Sequence, residues 1–451
     1  MARVLFGTDG IRGVAGKPPL DAHTVYAAGI ALGKWAVGIH GNGSEVLIGM
    51  DTRESGPGIA GHIAAGLETG GATPRFAGLI TTPGVAFLTR SRDFVAGVMI
   101  SASHNPFEDN GIKVFDHSGF KLPDDLEHAL EQDIFALLED GVTPRESLPP
   151  VDEGLDAAYL DYLVGTFPHR LDGVSLVIDC ANGAATHLGP ELFHRLGATV
   201  TPIACSPDGR NINLDCGALH LGGLQKKVLE TGAAAGVAFD GDADRCLFVS
   251  HSGRIVNGDA MMLLTADSML SAGHLNDDSG QPTVVATVMS NLGLEIALRD
   301  RGVHMLRAPV GDKYVLEEMT RRGAKVGGEQ SGHVIFPEFA TTGDGMLTAL
   351  QVLKAVQASG KDLDELTKDL VDFPQILVNV RVNDKRPLEQ MPRVQQEIDS
   401  AIAGFGGAGR VLVRYSGTEM LARVMVEGPD KDRVESCAHH LAQVLKTELG
   451  G

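Results

Sequence analysis

The chain has 451 residues and a formal net charge of −20, with 58 acidic side chains against 38 Lys and Arg. That balance excludes nucleic acid and anionic membrane as expected partners, since both reward a basic patch that offsets phosphate charge. The apolar stretches Ala27 to Ile39 and Thr283 to Leu294 carry Lys34 or fall short of a bilayer span of ~18 to 20 residues, and five scattered cysteines form no Cys-x-x-Cys pair. With no cationic and apolar leader opening the chain, a soluble cytoplasmic protein is expected.

The first β-branched apolar run, Val46 to Asp51, reads as a buried strand, followed by the turn Thr52 to Ser55 and a helix over Ile59 to Glu68. Phe94 to Ile100 is a second strand, running into Ser101-Ala102-Ser103-His104-Asn105-Pro106. After the amphipathic helix Asp124 to Leu138, the stretch Asp140 to Gly154, with Pro144, Pro149 and Pro150, reads as a linker. The pattern then returns: strand Leu176 to Cys180, turn Ala181 to Thr186, helix Glu191 to Leu196, and strand Gly236 to Phe239 into Asp240-Gly241-Asp242-Ala243-Asp244-Arg245. It returns again with strand Thr283 to Val288, turn Ser290 to Gly293, helix Leu294 to Leu298, and Lys325 to Gly327 into Gly328-Glu329-Gln330-Ser331-Gly332-His333. Strand, turn and helix in this order open a βαβ unit, and open α/β sheets bind ligands at the carboxyl ends of their strands.

Beyond Asp372-Phe373-Pro374, the strands Ile376 to Val382, Arg410 to Val413 and Ala422 to Val426 alternate with helices over Leu388 to Ile402 and Arg433 to Leu449. The expected domains are α/β over 1–150, 151–254 and 255–371, each with a mixed sheet, and α+β over 372–451.

Asp240, Asp242 and Asp244 alternate with small residues, so a turning backbone could bring three hard oxygen ligands round Mg²⁺, Ca²⁺ or Mn²⁺. An EF-hand needs Gly at its sixth place and Glu at its twelfth, where this chain has Arg245 and His251. A solvated acidic turn is the plain alternative, weakened by the apolar strand that delivers the loop. Ser103 in a Ser-x-x-Pro turn is commonplace alone, but Asn110-Gly111-Ile112-Lys113 places an ammonium near the same strand end. Glu329, Ser331 and His333 suit sugar hydroxyls, although a polar turn with a solvated His would look the same. Arg414-Tyr415-Ser416-Gly417-Thr418, with Arg423 shortly after, offers hydroxyls, backbone N–H groups and guanidinium forks to phosphate oxygens; a capped surface turn is the rival. The Gly-x-Gly-x-x-Gly of Gly404 to Gly409 precedes a strand and is no dinucleotide fingerprint.

Together, and in this order, Ser101 to Pro106, Asp240 to Arg245, Gly328 to His333 and Arg414 to Glu419 resemble the α-D-phosphohexomutase superfamily over essentially the whole chain. Phe6 to Gly13 and Thr342-Gly343-Asp344-Gly345 look most like its bacterial phosphoglucosamine mutase branch. The resemblance implies three related α/β domains and a TATA-box-binding-protein-like C-terminal domain around a central cleft. It implies one Mg²⁺ per chain on Asp240, Asp242, Asp244 and the oxygen of a phosphorylated Ser103, loaded by a sugar bisphosphate or a kinase. Arg12, His104, Lys113 and Arg245 would surround that phosphoserine, with Lys113 moving the proton at a depressed pKa. Glu329, Ser331 and His333 would hold the sugar, and Arg414, Ser416, Gly417, Thr418 and Arg423 its phosphate.

The implied reaction interconverts glucosamine 6-phosphate and glucosamine 1-phosphate through a sugar bisphosphate. The alternatives are a phosphoglucomutase or phosphomannomutase and a non-catalytic phosphosugar-binding protein. The family often forms homodimers, so a homodimer is expected. Many relatives have Pro where this chain has Tyr415 and Met420, and often Gly where it has Ala243.

Overall fold

The computed structural model describes residues 5–7, 9–416 and 420–450. The chain divides into two compact units, one of Met1–Val288 with Leu306–Thr367 and one of Met289–Met305 with Lys368–Gly451. The first strands are β1 (Phe6–Gly7), β2 (Gly10–Val14), β3 (Glu45–Met50), β4 (Thr73–Leu79), β5 (Ala96–Ile100) and β6 (Asp109–Asp116), in the order β1-β2-β6-β5-β3-β4. A second sheet takes β7 (Ser175–Asp179), β8 (Thr199–Ile203), β9 (Ala235–Phe239), β10 (Cys246–Ser250) and β11 (Ile255–Val256) in the order β11-β10-β9-β7-β8. The third contains β12 (Thr283–Thr287), β13 (His304–Ala308), β14 (Val326–Gly328) and β15 (Val334–Ile335), ordered β13-β12-β14-β15.

One topological event recurs in all three sheets. A parallel pair, β3 with β5, β7 with β9 or β12 with β14, is followed by an antiparallel partner, β6, β10 or β15. The chain reverses direction at the carboxyl end of β5, β9 and β14, and the three polar loops singled out in the sequence are these reversals. Every residue of β5 and β9 is buried, so each strand delivers its loop to the edge of a core and not to open solvent.

Helices Ala22–His40 and Gly56–Thr69 cover the first sheet and touch backbone to backbone. A Cβ at Gly66 would lie 2.5 Å from the Tyr26 carbonyl oxygen, and one at Gly29 would lie 2.5 Å from that of Ile63. Gly66→Ala gains up to ~1 kcal/mol of helix propensity but must part the helices, at a cost of about 1–3 kcal/mol or more. The expected net result is a lower urea midpoint with unchanged m; an unchanged or raised midpoint would refute this contact argument.

Helix Gly345–Ser359 starts at Asp344, whose Oδ1 accepts the Leu347 N–H at 3.0 Å and whose Oδ2 accepts the Tyr159 hydroxyl at 2.6 Å. Burial pushes this carboxyl up from 3.8 to about 6. A raised folded-state pKa favours the protonated form, so the stability it contributes is complete below pH ~4 and lost as pH rises through ~6, about 3 kcal/mol in all. Asp344→Asn keeps the cap acceptor and removes the buried charge. It is expected to melt higher than the parent at pH 8, with the gap closing towards pH 4; a gap independent of pH would refute the assignment.

The second unit has the antiparallel strands β16 (Gln375–Arg381), β17 (Arg410–Tyr415) and β18 (Leu421–Glu427), with β18 central. Helices Pro392–Gly404 and Lys431–Leu449 bury Val394, Ile398, Leu441 and Leu445 in a core with Val424 and Val426. The stretch Met289–Met305, which reads in sequence as part of the third domain, makes its contacts here. Buried Glu427 accepts the Leu292 N–H at 2.8 Å and Arg410 Nη2 at 2.8 Å, and Asn291 Nδ2 donates to the Phe373 carbonyl at 2.9 Å. Among the described residues no helix is long and apolar enough to cross a membrane.

Candidate active site

Ser103 lies in the reversal after β5 and is 1% exposed. Its Oγ donates to Asp240 Oδ2 at 2.6 Å, and His104 Nδ1 lies 3.3 Å from the same oxygen. The loops after β5 and β9, far apart in sequence, thus meet at one atom. Ser103 and Ala243 both hold left-handed backbone, at φ of 52° and 57°. Gly would relieve that strain, so Ala243, where the family pattern often has Gly, retains a cost of about 1 kcal/mol.

Asp240, Asp242 and Asp244 are buried, and each brings a carboxylate oxygen within 4.8 Å of the others. Asp242 Oδ1 and Asp244 Oδ1 are buried with no hydrogen-bond partner. Burial and the charges of Asp244 and Asp242 hold the Asp240 carboxyl well above its usual range. Three converging carboxyl groups, two of them with an orphaned oxygen, form an unfavourable arrangement that a divalent cation reverses, and an all-oxygen donor set suits Mg²⁺. The solvated acidic turn is ruled out by burial. The other close acidic group, His251 with Asp362 and Asp364, is more exposed, and Arg254 Nε donates to Asp364 at 3.2 Å.

Lys113, on β6, is 1% exposed. Its Nζ lies 2.8 Å from Asp242 Oδ2, 3.2 Å from Asp9 Oδ2 and 3.6 Å from Asp244 Oδ2. Burial works against its charge, but these three carboxylates outweigh both burial and the nearby Arg12, so its pKa is raised. This corrects the expectation of a depressed lysine pKa: its near neighbours are anions supplied by two distant segments. His104 goes the other way, pushed down to about 4 by burial and by Arg245 and Arg12, and is neutral at pH 7. Arg12 donates to Asp9, and the Arg245 main-chain N–H donates to Asp240 Oδ1 at 3.1 Å. Arg12 Nε and Arg245 Nε are buried donors without a hydrogen-bond partner among the described residues, although Arg245 Nε lies 3.7 Å from Asp244 Oδ1, and such donors suit an anion.

In the third loop, Glu329 Oε1 accepts the Gly311 N–H at 3.1 Å, and Ser331 Oγ lies 3.4 Å from Glu329 Oε2. His333 is 2% exposed, so the solvated-His alternative fails. Its Nδ1 lies 3.6 Å from Asp244 and its Nε2 3.7 Å from Asp312, while Nε2 accepts the Gly343 N–H at 3.0 Å. The ring therefore faces the acidic cluster. Sequence reasoning missed Thr82, whose hydroxyl donates to Asp242 Oδ2 at 2.5 Å. It also missed Lys121, whose Nζ joins Asp9 Oδ1 and Asp312 Oδ2 at 2.6 Å each. Neither residue sits in a recognisable motif; only the spatial meeting of segments marks them.

Within the second unit, Arg414 on β17 and Arg423 on β18 are direct cross-strand partners. Like charges so paired repel, and burial with Arg423 beside it lowers the Arg414 pKa. An anion across the pair would relieve the repulsion. Ser416 is buried, and Lys385 Nζ donates to its carbonyl at 2.6 Å. Tyr415, at one of the departures from the family pattern, donates its hydroxyl to the Arg386 carbonyl at 2.6 Å. Gly417 and Thr418, also expected in this loop, lie outside the described residues.

Residues 3–140, 157–253, 257–373 and 377–444 match, in turn, the descriptions phosphoglucomutase/phosphomannomutase alpha/beta/alpha domains I, II and III and C-terminal domain. A phosphoglucosamine mutase of Solibacter usitatus (strain Ellin6076) is 60% identical over 450 residues, covering 100% of each chain. The chain belongs to the phosphoglucomutase/phosphomannomutase family. A solved member of the family from Burkholderia thailandensis has a TM-score of 0.79 at 25% identity, over 98% of this chain and 97% of that one. The N-acetylphosphoglucosamine mutase of Aspergillus fumigatus, solved in complex with GlcNAc-6P and magnesium, shares the fold at a TM-score of 0.62 and 19% identity, over 98% and 96% of the two chains.

Proposed function

We propose that the chain is a phosphoglucosamine mutase that interconverts glucosamine 6-phosphate and glucosamine 1-phosphate through a phosphorylated Ser103. The observation that carries this reading is Ser103 Oγ lying 2.6 Å from Asp240, at the meeting of the serine loop with three buried carboxylates. The full-length similarity to a relative named for this activity supports the choice of sugar. Asp240, Asp242 and Asp244, with the phosphoserine oxygen, would hold one Mg²⁺. When bound, that ion supplies charge neutralisation and Lewis-acid polarisation of the phosphoryl oxygens.

The chain's own residues do the rest. The Oγ–P bond of phosphoserine breaks as a free sugar hydroxyl forms a new P–O bond, and the sugar leaves Ser103 as a bisphosphate. On return, the other phosphate of that sugar is transferred back to Ser103 Oγ. Arg12 and Arg245, whose buried Nε–H groups make no hydrogen bond among the described residues, meet the phosphoryl charge. In the outward transfer the proton of the attacking sugar hydroxyl ends on Ser103 Oγ as its bond to phosphorus breaks; on return, Lys113, held as an ammonium by its carboxylate neighbours, donates a proton to the departing sugar oxygen and regains one from the attacking Ser103 hydroxyl. Glu329 and Ser331 take the sugar hydroxyls, with Glu329 positioned to recognise an amino group by charge. Arg414, Ser416 and Arg423, with Gly417 and Thr418, bind the distal phosphate. A sugar bisphosphate or a kinase must first load Ser103, and the reaction fits a homodimeric enzyme of the cytoplasm.

A phosphoglucomutase or phosphomannomutase would use the same parts on a neutral sugar. Comparing kcat/KM for glucosamine, glucose and mannose phosphates separates the readings. A preference of at least ~100-fold for glucosamine is expected, the effect of leaving the half-buried Glu329 carboxylate without its amino partner. Equal or better turnover of glucose 1-phosphate would overturn the assignment.

A further inference from the structure

Behind the serine loop lies a second buried charge with no place in the reaction just described. Arg53, in the turn after β3, has a side chain 0% exposed. A guanidinium carries five N–H donors in one fixed plane, and here all five are used. Nε donates to Asp51 Oδ2 at 2.9 Å, Nη2 to the carbonyls of Ser103 at 2.9 Å and Asn105 at 2.8 Å, and Nη1 to the Asp109 carbonyl at 2.9 Å and to that of Pro106. Four of the five thus end on the main chain of one short loop. Asp51 Oδ2 also accepts the Ser101 hydroxyl at 2.6 Å, and Ser101 Oγ accepts the Ser103 N–H at 2.9 Å. From the second sheet's side, Asn213 Nδ2 donates to the Ser103 carbonyl at 2.9 Å and to that of Asn105 at 3.2 Å. The Ser103 peptide is therefore gripped at its N–H through Asp51 and at its carbonyl from two directions.

That grip has a physical purpose. Ser103 sits at φ 52°, which costs a non-glycine residue about 1–2 kcal/mol and persists only where the surroundings over-determine it. A buried ion pair such as Arg53 with Asp51 is itself no reliable source of stability, because desolvation offsets the attraction. What the pair does is tie the Ser103 carbonyl and, through Ser101, its N–H to fixed partners.

We infer that Arg53 and Asn213 are positioning residues that hold Ser103 in its left-handed conformation, so that Oγ stays directed at the three-carboxylate cluster through repeated loading and unloading. The inference rests on the reading of Ser103 as the phosphoryl carrier. It assigns the serine loop's geometry jointly to the first and second domains, since Arg53 follows β3 and Asn213 follows β8.

The test uses full-length Arg53→Lys and Asn213→Gly. Asn213 is itself at φ 59°, a conformation that Gly adopts freely, so this variant removes the amide donor without forcing the backbone. Each is measured for melting temperature, for phosphate gained on Ser103 by intact mass after incubation with a hexose 1,6-bisphosphate, and for kcat and KM on glucosamine 1-phosphate. Misplacing a reacting group by about 1 Å costs on the order of 10²-fold. Asn213→Gly is expected to lose about 10- to 100-fold in kcat, with KM within about threefold and melting close to the parent, and Arg53→Lys to lose more. A purely structural role would lower the melting temperature without this split between kcat and KM. Parent-like kcat in folded Asn213→Gly overturns the inference, and that variant decides alone if Arg53→Lys does not fold. A wild-type protein that neither gains phosphate nor turns over overturns the reaction reading itself, and this inference with it.

Discussion

Ser103→Ala is expected to lower mutase turnover at least ~10⁴-fold and to abolish the single phosphate per chain that a hexose bisphosphate adds to the parent. No neighbouring hydroxyl can take over. Ser101 Oγ is already committed, donating to Asp51 and accepting the Ser103 N–H, and Thr82 is turned to Asp242. The variant should fold, since Ala differs from Ser only by the hydroxyl and meets the same backbone strain. Its loss removes the donor that Asp240 accepts, but burial and its acidic neighbours already favour the protonated Asp240 carboxyl in the metal-free protein. Intact mass and turnover on one preparation check both halves. Residual turnover above about one part in a hundred would mean that phosphate travels by another route, and unchanged activity would favour the view that the cluster only binds phosphosugar.

The second large effect concerns the metal. In the ion-free protein the crowding of Asp242 and Asp244 against Asp240 holds that carboxyl protonated, and Asp242 and Asp244 each keep an orphaned oxygen, so Mg²⁺ should stabilise the folded state by about 2.7 kcal/mol at a concentration 100-fold above its Kd. For a unit of this size that is a rise of roughly 3–5 °C in melting temperature. Asp242→Asn keeps the shape, and an acceptor for the Thr82 hydroxyl, but removes one of the charges that bind the ion. Lys113 retains Asp9 and Asp244 as partners, so the ion-free variant should melt near the parent. The Mg²⁺-dependent rise should shrink or vanish, and turnover should fall by ~10³-fold or more. A parent-like thermal response to Mg²⁺ in this variant would remove Asp242 from the ligand set, whatever its activity.

Much of this site is legible in the residues themselves. The strands before the loops at Ser101, Asp240 and Glu329 announce themselves as apolar runs of β-forming length, because strands buried on both faces must be apolar throughout. A turn rich in Asp or Ser placed directly after such a strand has few destinations other than a core edge. The order of the loops carries the family resemblance, and the fold and the matching family descriptions agree with it.

Where sequence reasoning fell short, the missing quantity was a sum over distant parts. The family resemblance sets Lys113 beside Arg12 and Arg245, but its three nearest charges come from residues 9, 242 and 244, and they reverse the expected direction of its pKa. His333 reads equally well as a solvated ring until the fold buries it against Asp244 and Asp312. Ala243 matches glycine in size but not in the left-handed backbone that its position requires. Arg53 had a faint signal in its place at a strand end, two residues past Asp51, but nothing local says that its donors will close on the Ser103 loop. Residue type and strand period therefore settle which groups reach the strand ends, since both are properties of a few consecutive residues. The tertiary structure alone decides their charge, their orientation and their partners, because a field at a buried point, like a hydrogen bond across 50 or 137 positions of chain, has no trace in any one segment.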